Sequence, residues 1–472
     1  MSYQTLDYFV FLAAVAMLYR ACAARRSLRT GVLVAASYAF YALGHPWHLA
    51  VLVGLTGVDW LLVRVLHRAR GGRRKAWLAA AVLTDLGVLA AFKYAAFLSS
   101  SVTQGLAAAG LDVAPATLSL GFPLGVSFYV FSSLTYSIDV YRERCAPAAS
   151  LLDYAAFVSF FPKLVAGPLA RARQFLPQLA VTPRFADAET GQGLFLILAG
   201  LVKKIAIADF LARNLVERVF DAPQRYSSIE ALAGIYAYTM QIYCDFSGLS
   251  DIAIGSALLL GLRLPLNFDL PYRATSLQEF WHRWHISLSS WLRDYLYVPL
   301  GGNRRGVFGT YGNLIATMLL GGLWHGAGWT FVAWGGLHGV GLAATRAVQR
   351  LRARVGPAHP PSVPGRLIAG VLTFHFVALC WVFFRAPDFG TAWAVLAKVA
   401  EGSTYAPNLT PQILLVLGAA LALHFLPRSL YARARDTFVA APAAAQAVVL
   451  LAIGFVLSRL ATQLVPFIYQ QF

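Results

Sequence analysis

The chain has 472 residues; 58% are AVILMFWYC, only 13% are charged, and mean hydropathy is +0.61. Soluble domains carry roughly 25% charged residues, so the polar shell of a water-soluble globule of this length is missing. That excludes a soluble enzyme, a disordered chain and a nucleic-acid-binding domain. A polytopic membrane protein remains. Lys and Arg number 39 against 21 Asp and Glu, a formal +18. These positives sit in short runs between apolar stretches, as the positive-inside bias requires.

A spanning helix needs about 20 mostly apolar residues for a hydrocarbon core of ~30 Å. Taken in order, apolar windows lie near 6–23, 30–66 (two, split at His45-Pro46), 76–98, 119–140, 190–212, 229–262 (one long or two short), 311–324, 329–345, 367–384, 411–427 and 441–465. The expectation is an all-α membrane protein of about eleven spans. Segments 151–170 and 276–300 mix apolar residues with charges and glycine or proline, and read as re-entrant or interfacial pieces. Nothing marks a linker, a repeat or a soluble domain, so 1–472 reads as one membrane domain. The first window lacks a preceding basic segment and a small-residue cleavage site, and reads as a retained span rather than a signal peptide.

Orientation follows from the basic loops. Arg20, Arg25, Arg26 and Arg29, then Arg68 to Lys75, Arg346 to Arg354, and Arg428 to Arg435 mark the cytoplasmic side. The 99–118 stretch carries one charge, Asp112, and reads as an outward loop. The last span then runs outward and leaves Phe472 outside. Four scattered cysteines (Cys22, Cys145, Cys244, Cys380) have no disulfide or metal spacing and read as buried core residues.

Polar groups inside apolar segments need a reason. Phe280 to Asp294 gathers His282, Arg283, His285, Arg293 and Asp294 among three tryptophans. Read as one helix, it sets His282 and His285 on a shared face, with Ser289 one turn beyond His285. It also reads as an interfacial helix with Trp anchors. Gly321 to Gly328 places His325 among glycines, and glycine leaves the backbone open to a bulky substrate. An imidazole can accept and return a proton near neutral pH; a histidine bonded between helices is the structural alternative. Thirteen residues separate His325 from His338, which on one helix would point them apart. His282, His285 and His325 leave a three-histidine zinc site open, although no Cys or carboxylate is spaced to complete it. Asp245 and Asp251, six apart, are expected to pair with arginines such as Arg283 or Arg293.

Several stretches, in order, resemble one family. They are Leu6-Asp-Tyr-Phe-Val-Phe11, Ser37 to Trp47, Phe122 to Tyr129, Ile138 to Arg142, Phe160 to Pro168, Gly200-Leu-Val-Lys-Lys204, Asp245 to Gly255, Phe280 to Gly302 and Gly321 to Gly339. Together they are similar to the membrane-bound O-acyltransferases (MBOAT), nearest to the bacterial alginate O-acetyltransferase branch. The resemblance implies a ring of helices around a thinned centre with a cytoplasmic funnel, and a catalytic core over about 119–345. It implies His325 as the catalytic residue and His285 as the second active-site position. Ser289, Trp324 and Arg293 are candidates for the donor or oxyanion site. His282 stands where related sequences usually carry a basic residue, often Arg.

The end of the chain, Pro466-Phe-Ile-Tyr-Gln-Gln-Phe472, resembles the Phe-x-Tyr-x-x-Phe tail of this branch, in which the tyrosine is proposed to carry the acyl group outward. That makes Tyr469 the acyl-relay candidate; the structural alternative is an aromatic belt. The expectations are then an acyl thioester donor, acetyl-CoA, no bound cofactor or metal, and an extracytoplasmic partner that modifies a polysaccharide. The expected location is the bacterial inner membrane. A polysaccharide or lipid-linked sugar transporter is the alternative from another class. It would show inverted repeats with matching broken helices, and none is visible.

Overall fold

The computed structural model describes residues 2–43, 46–111, 114, 123–355, 362–461 and 465–468. These residues are helical with irregular connections and contain no strand. Six of the helices are long and apolar enough to cross a bilayer: Pro46–Arg68, Gly71–Ala108, Ser228–Leu259, Gly306–His325, Val363–Arg385 and Ala443–Leu460. The pair Pro411–Phe425 and Arg428–Ala440, bent by 93°, makes a seventh if it counts as one span. The eleven expected spans exceed this number for a geometric reason. Several apolar windows fold as helices of 15–17 residues, such as Leu6–Ala21, Arg26–Ala42 and Val126–Tyr141. At 1.5 Å per residue these reach only about 25 Å, short of a full bilayer core.

Other boundaries also moved. The first half of the expected outward loop at 99–118 is helix, as far as Ala108, continuous with the span before it through a π turn at Ala90–Tyr94; Asp112 lies outside the described residues. The apolar run at 229–262 is a single 32-residue helix. The 276–300 stretch is two short helices, Leu277–Arg283 and Ile286–Leu292, followed by a π turn, Arg293–Tyr297.

The chain divides into two compact units, Met1–Ile197 with Ser250–Pro265, and Leu198–Leu249 with Leu266–Phe472. In the first, an aromatic cluster of Tyr3, Tyr8, Phe11, Phe40 and Phe161 forms much of the core. Its polar tips are satisfied: Tyr8 Oη donates to Ser256 Oγ at 2.9 Å and Tyr3 Oη to the Phe161 carbonyl at 2.6 Å. Arg29, nearly fully buried, donates to the Ala23, Leu179 and Val181 carbonyls and so ties together the ends of two helices, Leu6–Ala21 and Ala172–Ala180. Gly125 turns the chain into the Val126–Tyr141 helix at φ 73°, where a Cβ would sit 2.4 Å from the Leu164 carbonyl oxygen. Only glycine fits both conditions.

The second unit is built on a helical hairpin, Gly306–His325 against Trp329–Val355. Its glycines explain the tight approach. A Cβ on Gly322 would lie 2.3 Å from the Phe331 carbonyl oxygen, one on Gly335 2.3 Å from that of Met318, and one on Gly339 2.8 Å from Ile315 Cα. Small residues let membrane helices come into backbone contact. The expectation that glycines open the backbone beside His325 to substrate is therefore corrected. Gly322 receives the neighbouring helix, and a Cβ on Gly326 would sit 2.1 Å from the Phe331 ring.

Candidate active site

His285 sits at the break between the two short helices, in the left-handed region at φ 42°. A non-glycine residue there is uncommon and strained, and such residues gather at functional sites. The break refutes the shared helical face. His285 is fully buried, whereas His282 is exposed and lines a separate cavity. Ser289 is not aimed at His285 either; its hydroxyl donates to the Trp284 carbonyl at 2.9 Å.

What orients His285 is Asn267, from the loop before the two helices. The Asn267 Oδ1 lies 3.0 Å from His285 Nδ1 and also accepts from Ser287 Oγ (2.8 Å) and the Ser287 backbone N–H (3.4 Å). The Asn267 carbonyl accepts from the Ile286 N–H at 2.8 Å. A backbone N–H can only donate, so the atom facing it is the amide oxygen. That oxygen can only accept, so Nδ1 of His285 carries the proton and Nε2 presents a lone pair. Nε2 has no hydrogen-bond partner among the described residues.

His325 ends its helix, 3% exposed. Both catalytic candidates meet the Trp324 indole, His285 at 6.2 Å and His325 at 4.8 Å between ring centroids. Trp334 and Phe384 complete the wall around His325 at 5.0 and 5.3 Å. The Trp334 Nε1–H is buried without an acceptor among the described residues. His338 lies on the other helix of the hairpin, not on a common helix with His325. It contacts the same Trp334 ring at 4.9 Å, and its Nδ1 accepts from Trp281 Nε1 at 3.3 Å. His338 thus anchors Trp281. No group of three His, Cys, Asp or Glu among the described residues is placed to hold a metal ion.

A cavity of about 440 Å³ adjoins this centre. Trp281, Ile286, Leu292 and Met318 line its apolar part; His282, Arg293, Tyr297 and Arg346 also line it. Ser289 and Arg293, two of the donor-site candidates, line it as well. Trp281 links the cavity to the histidines, because its ring stands 5.8 Å from Trp334, itself against His325.

Asp245 does not pair with an arginine. Its Oδ1 lies 2.8 Å from Lys204 Nζ, which also bridges Asp209 Oδ1 at 2.7 Å. Arg283 pairs instead with Glu279 and Asp269, and Arg293 with Asp294. Lys204 and Asp209 lie five apart on a π-wound stretch, Val202–Asp209. In an α-helix five residues advance about 140° round the axis; the wider π turn brings them toward one side. Apolar periodicity carries no sign of such winding, nor of the Asn267 contact.

Residues 122–384 match the model of the MBOAT, membrane-bound O-acyltransferase family. The chain belongs to that family. The acyltransferase is 43% identical over 395 residues to a probable alginate O-acetylase of Azotobacter vinelandii, covering 83% of this chain and 76% of the relative. It is 38% identical to a probable alginate O-acetylase of Pseudomonas putida over 98% of both chains. A peptidoglycan O-acetyltransferase of Helicobacter pylori is 36% identical over 77% of this chain and 72% of its own. The enzyme is therefore a multi-pass membrane O-acyltransferase, and the family replaces the transporter alternative.

Proposed function

We propose that this acyltransferase takes an acetyl group from acetyl-CoA on the cytoplasmic side of a bacterial inner membrane. It passes the group to an extracytoplasmic partner that O-acetylates a polysaccharide, alginate or another exopolysaccharide. The observation that carries the reading is the buried pair His285 and His325 on one indole, beside a cavity lined by arginines. Arg346 follows the span whose basic flank reads as cytoplasmic, and Arg293 and Arg346 offer charge to the donor's phosphates. The apolar lining suits the uncharged arm that carries the thioester.

His325 removes the proton from a hydroxyl nucleophile as its oxygen attacks the thioester carbonyl. The tetrahedral oxyanion collapses, the carbon–sulfur bond breaks, and the thiolate takes the proton back from His325. The Trp334 N–H, on a ring 5.0 Å from His325 and without an acceptor among the described residues, offers a donor for the oxyanion. Ser289 is spent on the Trp284 carbonyl, and a His285 with its proton on Nδ1 offers Nε2 as an acceptor. His285 therefore orients the nucleophile's hydroxyl rather than the oxyanion. Tyr469, the proposed relay, lies outside the described residues. Support for it comes from Phe467, whose ring stands 5.4 Å from Phe246, with Phe246 4.5 Å from His285. Acetyl moved from coenzyme A to a tyrosyl oxygen sheds the charged carrier that cannot cross.

The test is His325→Ala in membranes supplied with radiolabelled acetyl-CoA. Label on the acceptor is expected to fall by at least about 10²-fold, the usual contribution of a general base, while the protein stays folded. Wild-type incorporation would remove His325 from the reaction.

A further inference from the structure

We propose that Lys204, Asp209 and Asp245 form a socket that clamps the C-terminal tail by its backbone and holds it beside His285. The inference rests on the reading of the tail as acyl carrier and adds positioning residues to it.

The Lys204 ammonium forms ion pairs with Asp209 Oδ1 at 2.7 Å and Asp245 Oδ1 at 2.8 Å and donates to the Val465 carbonyl at 3.0 Å. The second carboxylate oxygen of Asp245 accepts from the Ile468 N–H at 2.9 Å. All three charged side chains are at most 4% exposed. The tail therefore completes the network. Remove it, and one ammonium proton and one carboxylate oxygen are left buried without those partners, a state membrane interiors disfavour.

Both tail contacts are main-chain atoms, three residues apart. Such a grip sets the register of the chain and is indifferent to side-chain identity. Phe467 and Ile468 add apolar burial, at 5% and 1% exposure, and Phe467 rests on Phe246 against His285. Tyr469 is the next residue in the sequence after Ile468, so a grip on 465–468 fixes the point from which it departs. The unusual π winding that brings Lys204 and Asp209 together is the kind of distortion that persists at functional sites.

The experiment uses the full chain in lipid nanodiscs as wild type, Lys204→Met, Asp245→Asn and Ile468→Pro. Amide exchange of the C-terminal peptide is read by mass spectrometry, and kcat and KM for acetyl-CoA by radiolabel transfer. Each variant is expected to speed tail exchange by about tenfold or more, the sign of a local opening. Each should lower kcat by about 10²-fold, as misplacement of a reacting group does, with KM within about twofold. Ile468→Pro deletes the donated N–H, along with the buried Ile468 side chain, and leaves the three charges intact, so it carries the test if a charge variant unfolds throughout. Tail exchange as slow as wild type in Ile468→Pro overturns the clamp; a freed tail with wild-type kcat overturns its positioning role. Full transfer by Tyr469→Phe would instead defeat the carrier reading, while the exchange data still decide the clamp.

Discussion

Nδ1 of His285 faces an oxygen that three donors share, and this single amide decides the imidazole's tautomer. Asn267→Ala would strand the Nδ1–H and the Ser287 hydroxyl, each at about 1–3 kcal/mol for a buried unsatisfied group. It would also free the ring to take the other tautomer. We expect kcat to fall about 10²-fold with a lowered melting temperature, while Asn267→Asp, which keeps the acceptor, retains most of the activity. Steady-state kinetics on both variants check this; equal rates in Asn267→Ala and wild type would deny Asn267 its orienting role. His285 was singled out in the sequence by an expected shared face with His282 and by the family resemblance. Its partner was not, because residues 18 apart meet only when a loop folds back on a broken helix.

Among the elements, the hairpin of Gly306–His325 and Trp329–Val355 does most to place the chemistry, since His325, Trp324 and Trp334 all lie on it. Its register depends on backbone contact at Gly322, Gly335 and Gly339. Gly335→Ala adds a methyl 2.3 Å from the Met318 carbonyl oxygen. Overpacking of this kind costs about 1–3 kcal/mol and would push the indoles away from His325, so both melting temperature and kcat should drop. Gly312→Ala, on the other helix of the hairpin, meets nothing within 4 Å and should leave both unchanged. Thermal melts of the pair separate the two; equal melting temperatures would mean the hairpin yields. The glycines were legible as exceptions in an apolar run and read as substrate access, whereas in the structure they meet the second helix. Only the position of that helix decides this.

For the whole molecule, function depends on which side of the membrane each end meets. In the proposed orientation, read from the basic loops, the tail lies outside, and Tyr469 is the residue that would make that placement productive. Tyr469→Phe removes a single oxygen and leaves the ring. Transfer from acetyl-CoA to the extracytoplasmic acceptor should be lost, with donor binding intact by equilibrium titration. Transfer at the wild-type rate would confine the chemistry to another hydroxyl. Among the described residues fewer helices than expected are long and apolar enough to span, because hydropathy measures how apolar a window is. It does not register where a helix stops, and several windows stop at 16 or 17 residues.

Membrane class, helical architecture and family follow from the order of residues alone, because burial in lipid imposes composition and the family's motifs recur in order along the chain. The tertiary structure alone decided which partners those polar groups take. Asp245 meets Lys204 rather than an arginine, His285 meets Asn267 rather than His282, and the glycines meet a helix rather than a substrate. Hydrogen bonds and close contacts are settled over a few ångströms between distant stretches of chain, and no local pattern records that distance.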